Sequence, residues 1–391
     1  MSDEWEKVTL GDLMTFKNGL NFTQDSNGKE YNFLGVGCFK SKNSIKNASE
    51  LETVYISNPV DKEYLLKKND LVFVRSNGSK ELVGRCVLIE NDISNATYSG
   101  FCIKGSLKSE KTTSKYILKS IEAGFLKEKL KHENRGTNIS NLNQEILNSL
   151  EIKLPSFNDQ NKIIETLNVW DSSIEKTEKL ISEKEKKLQW IIIHYFEAAE
   201  GNKNWIVSKL SEFLKPGDKH PVENTANYRK ITIKLHKNGI EYINSQRKMA
   251  DTRPFYIRRA GELIIGKQNY FNGSIALLEK DFDGAICSNA IMSFSIAKSV
   301  NPNFLLEAIS TRKYLREKSV YANGTGQKEL SENAFLNFDV KLPSLKVQNE
   351  IMGIVNLQKS EISLLKKQLK QYKLQKQGLM QKLLTGEWRI E

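Results

Sequence analysis

Cysteine and histidine are scarce in this chain: 391 residues contain only four of each. Cys38, Cys86, Cys102 and Cys287 are widely separated and show no CxxC spacing, which excludes a disulfide framework and leaves buried free thiols as the expectation. His132, His194, His220 and His236 lack metal-ligand spacing, so no metal site is predicted. No phosphate-cradling GxxxxGK[ST] loop is present, and nothing supports nuclease or other hydrolytic chemistry. No run approaches the roughly 18 apolar residues of a membrane span, and the charged start Met1-Ser2-Asp3-Glu4-Trp5 is unlike a signal peptide. A cytoplasmic protein without a membrane partner is therefore expected.

What the chain does have is an echo of itself. Gly136-Thr137 recurs as Gly324-Thr325, Lys153-Leu154-Pro155-Ser156 as Lys341-Leu342-Pro343-Ser344, and Gln160-Asn161-Lys162-Ile163 as Gln348-Asn349-Glu350-Ile351, always at an offset of 188 residues. Shared composition cannot produce identity at a fixed spacing, so two copies of one structural unit are joined end to end. The second copy starts at Trp205, as the first does at Trp5, and the offset shrinks from 200 to 188 along the copy, so its loops are shorter. A duplicated scaffold with divergent loops is expected where loops carry specificity. The formal charge of +12 points to a polyanionic partner. The excess lies in the second half.

Residues 1–156 read as short β-rich runs, such as Val72-Phe73-Val74, Cys86-Val87-Leu88-Ile89 and Phe101-Cys102-Ile103. Asn27-Gly28, Asn77-Gly78 and Asn91-Asp92 read as turns, and the clearest helix lies near Ser114 to Lys131. Residues 202–344 repeat the order. After each Leu-Pro-Ser the chain turns helical, over 157–201 and again over 345–391 including the tail. Ile163, Leu167, Trp170, Ile174, Thr177, Ile181, Lys184, Leu188, Ile191 and Tyr195 keep a 4-3-4-3 spacing. Ile351, Val355, Gln358, Ile362, Leu365, Leu369, Tyr372, Lys376, Leu379 and Leu383 repeat it in phase, which is the a/d pattern of a coiled coil. The simplest arrangement is an antiparallel pair with an approximate twofold axis; the alternative is two amphipathic helices packed separately on their own domains. Gly201 or Gly386 ends each helix and Trp205 or Trp388 follows, so the last residues resemble the first.

The two Leu-Pro-Ser segments leading into Gln160-xx-Ile163 and Gln348-xx-Ile351, the run Lys68-Asn69-Asp70-Leu71-Val72-Phe73, and the ending Leu379-Met380-Gln381-Lys382-Leu383-Leu384-Thr385-Gly386 resemble the DNA specificity subunits of type I restriction-modification enzymes, over essentially the full length. Where the family usually has Glu before the Gln, this chain has Asp159 and Val347. The resemblance implies an α+β architecture: two mostly β target-recognition domains separated by a pair of long antiparallel coiled-coil helices, with a pseudo-twofold internal repeat. It implies a non-catalytic reader of double-stranded DNA that recognises an asymmetric bipartite site with a nonspecific gap. It also implies two methyltransferase (modification) subunits and two ATP-dependent restriction (translocase/nuclease) subunits as partners. S-adenosylmethionine, ATP and Mg belong to those partners, with no cofactor in this chain. A helix from Ile163 to Tyr195 measures roughly 50 Å at about 1.5 Å per residue. At about 3.4 Å per base pair, that spans on the order of 14 base pairs.

Base readout needs fork-shaped donors and acceptors on exposed loops. Arg75, Ser76, Asn77, Ser79 and Lys80 follow one strand-like run, and Lys267, Gln268, Asn269, Tyr270 and Asn272 follow its counterpart, aligned in position but different in sequence. Polar hairpins in which Asn-Gly serves only turn geometry fit the same residues. Arg135, Thr137 and Asn138 pair with Thr325, Gln327 and Lys328 around the two Gly-Thr segments, where a phosphate-contact role and a structural role fit equally. Lys17, Asn18, Arg247 and Lys248 are further candidates, with a solvated basic face as the competing account. Phe33-Leu34-Gly35-Val36-Gly37 fits an FxGxG cofactor loop and Asn301-Pro302-Asn303-Phe304 approaches an adenine-gripping motif, but the second Pro is absent and the fragments lie in different copies. A coiled-coil adaptor or scaffold that binds only protein explains the helices but neither the divergent loops nor the basic second domain.

Overall fold

The computed structural model of the protein describes residues 5–39, 43–78, 81–133, 141–197, 205–243, 253–321 and 329–390. It forms two compact units: Met1–Glu178 with Gln368–Glu391, and Lys179–Lys367. Each unit thus combines one β-rich domain with portions of both long helices.

In the first unit a five-stranded sheet runs in the order Met14–Asn18, Cys102–Leu107, Leu71–Val74, Cys86–Ile89, Ser44–Ile45. Leu71–Val74 and Cys86–Ile89 are buried at every position, which is why they read as unbroken apolar runs rather than alternating ones. A second sheet joins Glu52–Ile56, Gln24–Leu34 and Ala96–Tyr98. Asn27-Gly28 is not the hairpin turn that its sequence suggests. It lies inside Gln24–Leu34, where pairing with the neighbouring strand shifts register between Gln24 and Lys29. A Cβ on Gly28 would sit 2.5 Å from the Ile56 backbone, so the glycine serves close approach of the two strands. The predicted helix near Ser114 to Lys131 is two helices, Ser114–Glu122 and Phe125–Glu133, divided at Gly124 with φ +101°.

The second unit repeats the frame with a four-stranded sheet, Leu214–Pro216, Ile291–Ile296, Leu263–Gly266, Ile275–Leu277. The duplication extends to register. Glu6 pairs with Leu154 in the antiparallel ribbon that closes the first domain, and Ile206 with Leu342 in the second. Within each ribbon alternate residues are buried, Ile152 and Leu154 in one and Val340 and Leu342 in the other, as a half-buried strand requires.

Proline then ends the strand and serine begins the helix. The first long helix is Phe157–Ile192, continued by a wider turn over Ile193–Glu197; the second is Leu345–Thr385. Gln160 and Gln348 lock the two starts. Gln160 Nε2 donates to the Pro155 carbonyl (3.2 Å) and the Lys111 carbonyl (2.9 Å), and its Oε1 accepts from the Thr112 hydroxyl (2.8 Å). Gln348 Nε2 donates to the Pro343 carbonyl (2.9 Å), while its Oε1 accepts from the Asn301 backbone N–H (2.8 Å). Both side chains are buried, so these bonds are costly to leave unmade. Asp159 and Val347 differ in consequence. The Asp159 N–H donates to Ser156 Oγ (3.2 Å), whose hydroxyl donates to the Asp159 carboxylate (2.8 Å), whereas Val347 packs on the apolar core of the second unit.

None of the residues in the two 4-3-4-3 series is exposed. In the first unit Ile163 and Leu167 share a core with Leu383 and, half-buried, Leu379, and Trp170 meets Tyr372 edge to face at 5.9 Å. Asp171 contacts Lys376 and Glu178 contacts Lys373, so the helices run antiparallel there. In the second unit Ile191, Ile351 and Val355 share a core with Leu188 at its margin, Ile181 and Ile362 are buried, and Lys184–Glu361 and Glu185–Lys366 form ion pairs of 2.6 Å. Ile174, Leu365 and Leu369 are half-buried. Within each unit the helices therefore pack on each other as well as on their domain. Gly386 ends the second helix at φ +77°, where a Cβ would sit 3.3 Å from the Trp5 ring, and Ile390 packs against the first core. Gly201 lies outside the described residues.

Candidate nucleic-acid interface

Two loops, one in each unit, are held by the same backbone hydrogen bonds. In the first, the Arg75 N–H donates to the Phe101 carbonyl (2.8 Å) and the Arg75 carbonyl accepts from the Leu142 N–H (2.9 Å). In the second, the Lys267 N–H donates to the Ala290 carbonyl (3.0 Å) and the Lys267 carbonyl accepts from the Leu330 N–H (2.9 Å). Leu142 and Leu330 are fully buried, so each loop is anchored to its domain core while its side chains are free to differ.

Arg75, Asn77, Gln268, Asn269 and Asn272 are exposed, and Ser76 and Lys267 half-buried. Asn272 Nδ2 donates to Asn269 Oδ1 (3.2 Å), which fixes the mutual orientation of these two amides. Tyr270 corrects the sequence reading. Its ring is fully buried among Phe271 and Phe335, its hydroxyl donates to the Ile309 carbonyl (2.7 Å), and burial pushes that hydroxyl well above its usual pKa. It is a core side chain that holds the loop from beneath, with no face toward solvent. The mostly polar run at 267–272, with Tyr270 and Phe271 adjacent in it, does not reveal this. A short 3₁₀ turn over Tyr270–Asn272 rotates the ring inward.

Lys17 and Asn18 end the strand Met14–Asn18. Lys17 is engaged locally, 2.5 Å from the Glu63 carboxylate and 4.5 Å above the Tyr64 ring, and the hydrogen bond to Glu63 holds its ammonium above the usual lysine range. Ser79, Lys80, Arg135, Thr137, Asn138, Arg247, Lys248, Thr325, Gln327 and Lys328 lie outside the described residues.

Phe101 was not singled out by its sequence, where Phe101-Cys102-Ile103 reads as one strand. The strand begins at Cys102, and Phe101 precedes it with 59% of its surface exposed, its carbonyl bonded to Arg75. An exposed aromatic ring on a residue whose backbone is bonded to that of an exposed arginine suits a base or sugar face. The signal available in the sequence was the alignment of Phe101 with Ala290, a large exposed side chain facing a small one across the repeat.

Cys86, Cys102 and Cys287 are buried and Cys38 half-buried, none of them in a disulfide, and burial pushes the Cys102 thiol up to about 12. Gly35 follows the strand Gln24–Leu34, and Asn301 caps the helix Pro302–Ala308, so the two fragments reminiscent of a methyltransferase serve local structure. Among the described residues no cluster of His, Cys, Asp or Glu is arranged to hold a metal, and no helix is long and apolar enough to cross a membrane.

Two β-rich domains that share a frame and present loops of differing Arg, Lys, Asn and Gln chemistry define a duplicated nucleic-acid-recognition protein. The family model described as "Type I restriction modification DNA specificity domain" matches residues 2–185 and 202–374. The chain belongs to this family and is a sequence-specific DNA-recognition subunit. The type I restriction enzyme MjaVIII specificity subunit of Methanocaldococcus jannaschii is 22% identical, over all of this chain and 94% of that protein. The StySPI specificity subunit of Salmonella potsdam is 29% identical over 44% of this chain and 38% of that protein. Among solved structures, the type I restriction-modification S subunit from M. genitalium has a similar fold, with TM-score 0.55 and 17% identity over 98% of this chain and 97% of that one. The HsdS subunit from Thermoanaerobacter tengcongensis gives 0.52 and 14% over 99% and 98%.

Proposed function

We propose that each unit reads one half of a bipartite, asymmetric DNA site, and that this subunit is a non-catalytic reader which directs adenine methylation and restriction by its partners. The observation that carries this reading is the pair of loops at Arg75 and Lys267. Identical backbone bonds place them equivalently in their own domains, while their side chains differ, as two unlike half-sites require. Duplication suits two copies of one modification subunit. Val169 and Leu357, at the 188-residue offset, are both exposed apolar residues on the long helices, at 66% and 68%. S-adenosylmethionine would be carried by those subunits, and ATP and Mg used by two restriction subunits.

The test is methylome sequencing of a host that expresses this chain with its modification subunit. Adenine methylation at a gapped motif with two unlike halves is the expected result; methylation at a continuous motif, or none above the untransformed host, would overturn the reading. Arg75→Ala should then relax one half of the motif only, and Lys267→Ala the other.

A further inference from the structure

Each recognition domain seats on a long helix through an ion pair, and the two pairs have opposite polarity. In the first unit Lys119, on Ser114–Glu122, lies 2.6 Å from Asp171 of the first long helix. In the second, Glu307, on Pro302–Ala308, lies 2.6 Å from Lys359 of the second long helix. Lys119 and Glu307 stand at the 188-residue offset, and so do Asp171 and Lys359. The equivalence is structural as well. The N-caps Thr113 and Asn301 keep the same offset, as do the fully buried rings Tyr116 and Phe304. Same positions, same contact, reversed charges.

Apolar seats built on one frame do not discriminate between their occupants, because burial has no direction. The glutamine-to-proline-carbonyl bonds and the buried rings Tyr116 and Phe304 are common to the two seats, although the domain-side partners of Gln160 and Gln348 differ. Charge does discriminate. If the domains were exchanged, Lys119 would face Lys359 and Glu307 would face Asp171, and each domain-side charge is at most 7% exposed in its native seat. Each pair also has a supporting group. Glu122 (3.3 Å from Lys119) and Lys376 complete the first seat, while Lys237 (2.7 Å from Glu307) completes the second. Glu122 and Lys237 travel with their domains and Lys376 stays with its helix, so exchange leaves the summed charge of each seat unchanged, and discrimination rests on geometry, on which domain-side charge lies 2.6 Å from the helix.

We propose that the reversed ion pair is an address: it admits each recognition domain to the long helix that follows it, and it rejects the other domain, whether from the same chain or from a second copy. This inference does not depend on which bases are read.

The test uses four full-length chains, with the domains in native order or with residues 1–156 and 202–344 exchanged, each with the native charges or with K119E/E307K. In native order the reversal should lower Tm by on the order of 5 °C; in exchanged order it should raise Tm by a similar amount or convert an insoluble chain into a soluble one. A reversal that moves both orders in the same direction would sink the proposal. Should neither exchanged chain fold, rescue in native order decides. K119E must be repaired by D171K and not by K359E, and E307K by K359E and not by D171K. Repair by either helix-side change alike, or by neither, would overturn the address.

Discussion

The starts of the two long helices occupy equivalent places and are built differently. In the first, Ser156 and Asp159 close a polar cap and the Gln160 oxygen takes a hydroxyl proton from Thr112. In the second, Val347 turns into the core and the Gln348 oxygen takes a backbone N–H from Asn301. What duplication has kept is the geometry of the glutamine-to-proline-carbonyl bond, common to both. The residues around it have drifted as far as satisfied hydrogen bonds allow, because a buried amide with an unmade bond costs about 1–3 kcal/mol and drift within satisfied partners costs little.

Packing should break the comparison most strongly. Leu167 and Val355 are repeat equivalents with no exposed surface. Leu167→Ala should cost about 2–5 kcal/mol in denaturant unfolding, and Val355→Ala less, since it removes less apolar volume. Equal costs would mean that the two seats do not collapse around cavities alike. Next come the glutamines. Gln160→Ala strands the Thr112 hydroxyl and two carbonyls, and Gln348→Ala one N–H and one carbonyl, so each should lose about 1–3 kcal/mol with the first the more damaging. Chevron or equilibrium urea data on the two variants would rank them.

In DNA binding, Arg75→Ala should cost about 1–3 kcal/mol on the cognate site and shrink discrimination at one half-site. Equal weakening on every sequence would instead assign Arg75 to phosphate contact. The caps are expected to respond asymmetrically. Asp159→Val should lose roughly 0.5–1 kcal/mol with the cap, while Val347→Asp should also destabilise, because it draws a packed side chain out of the second core. Stabilisation by Val347→Asp would show that the two starts are interchangeable.

The smallest effects lie in pH. Burial pushes the Glu307 carboxyl up, but Lys237 and Lys359 outweigh it and hold it below the usual value of 4.5. Its contribution is therefore present above about pH 4.5 and lost as pH falls through the lower folded value. Asp171 behaves alike in the first unit. Lys119 is opposite in sign: burial lowers it, Glu122 and Asp171 more than restore it, and its contribution disappears only as pH rises through a value above 10.5. Tm against pH should show Glu307→Gln flattening the acid limb and Lys119→Met the alkaline one.

Much of this was legible in the chain itself. The 188-residue offset, the proline and serine that end a strand and start a helix, and the 4-3-4-3 series are local or periodic signals, and burial follows the period of the element that carries it. Asn27-Gly28 misled because the same dipeptide serves a turn and a close approach of strands, and only the position of Ile56 distinguishes them. Tyr270 misled because a short 3₁₀ turn decides which way the ring points, and no period reports it. The exposure of Phe101 and the reversed ion pairs belong wholly to the tertiary structure. Lys119 and Asp171 are 52 residues apart, as are Glu307 and Lys359, and contact at such separation is set by how a domain packs on its helix. The sequence determined that the protein is built twice and where each copy turns from sheet to helix. Tertiary packing decided which side chains of those copies meet, because a spacing of 52 residues does not by itself say which charges a domain brings against its helix.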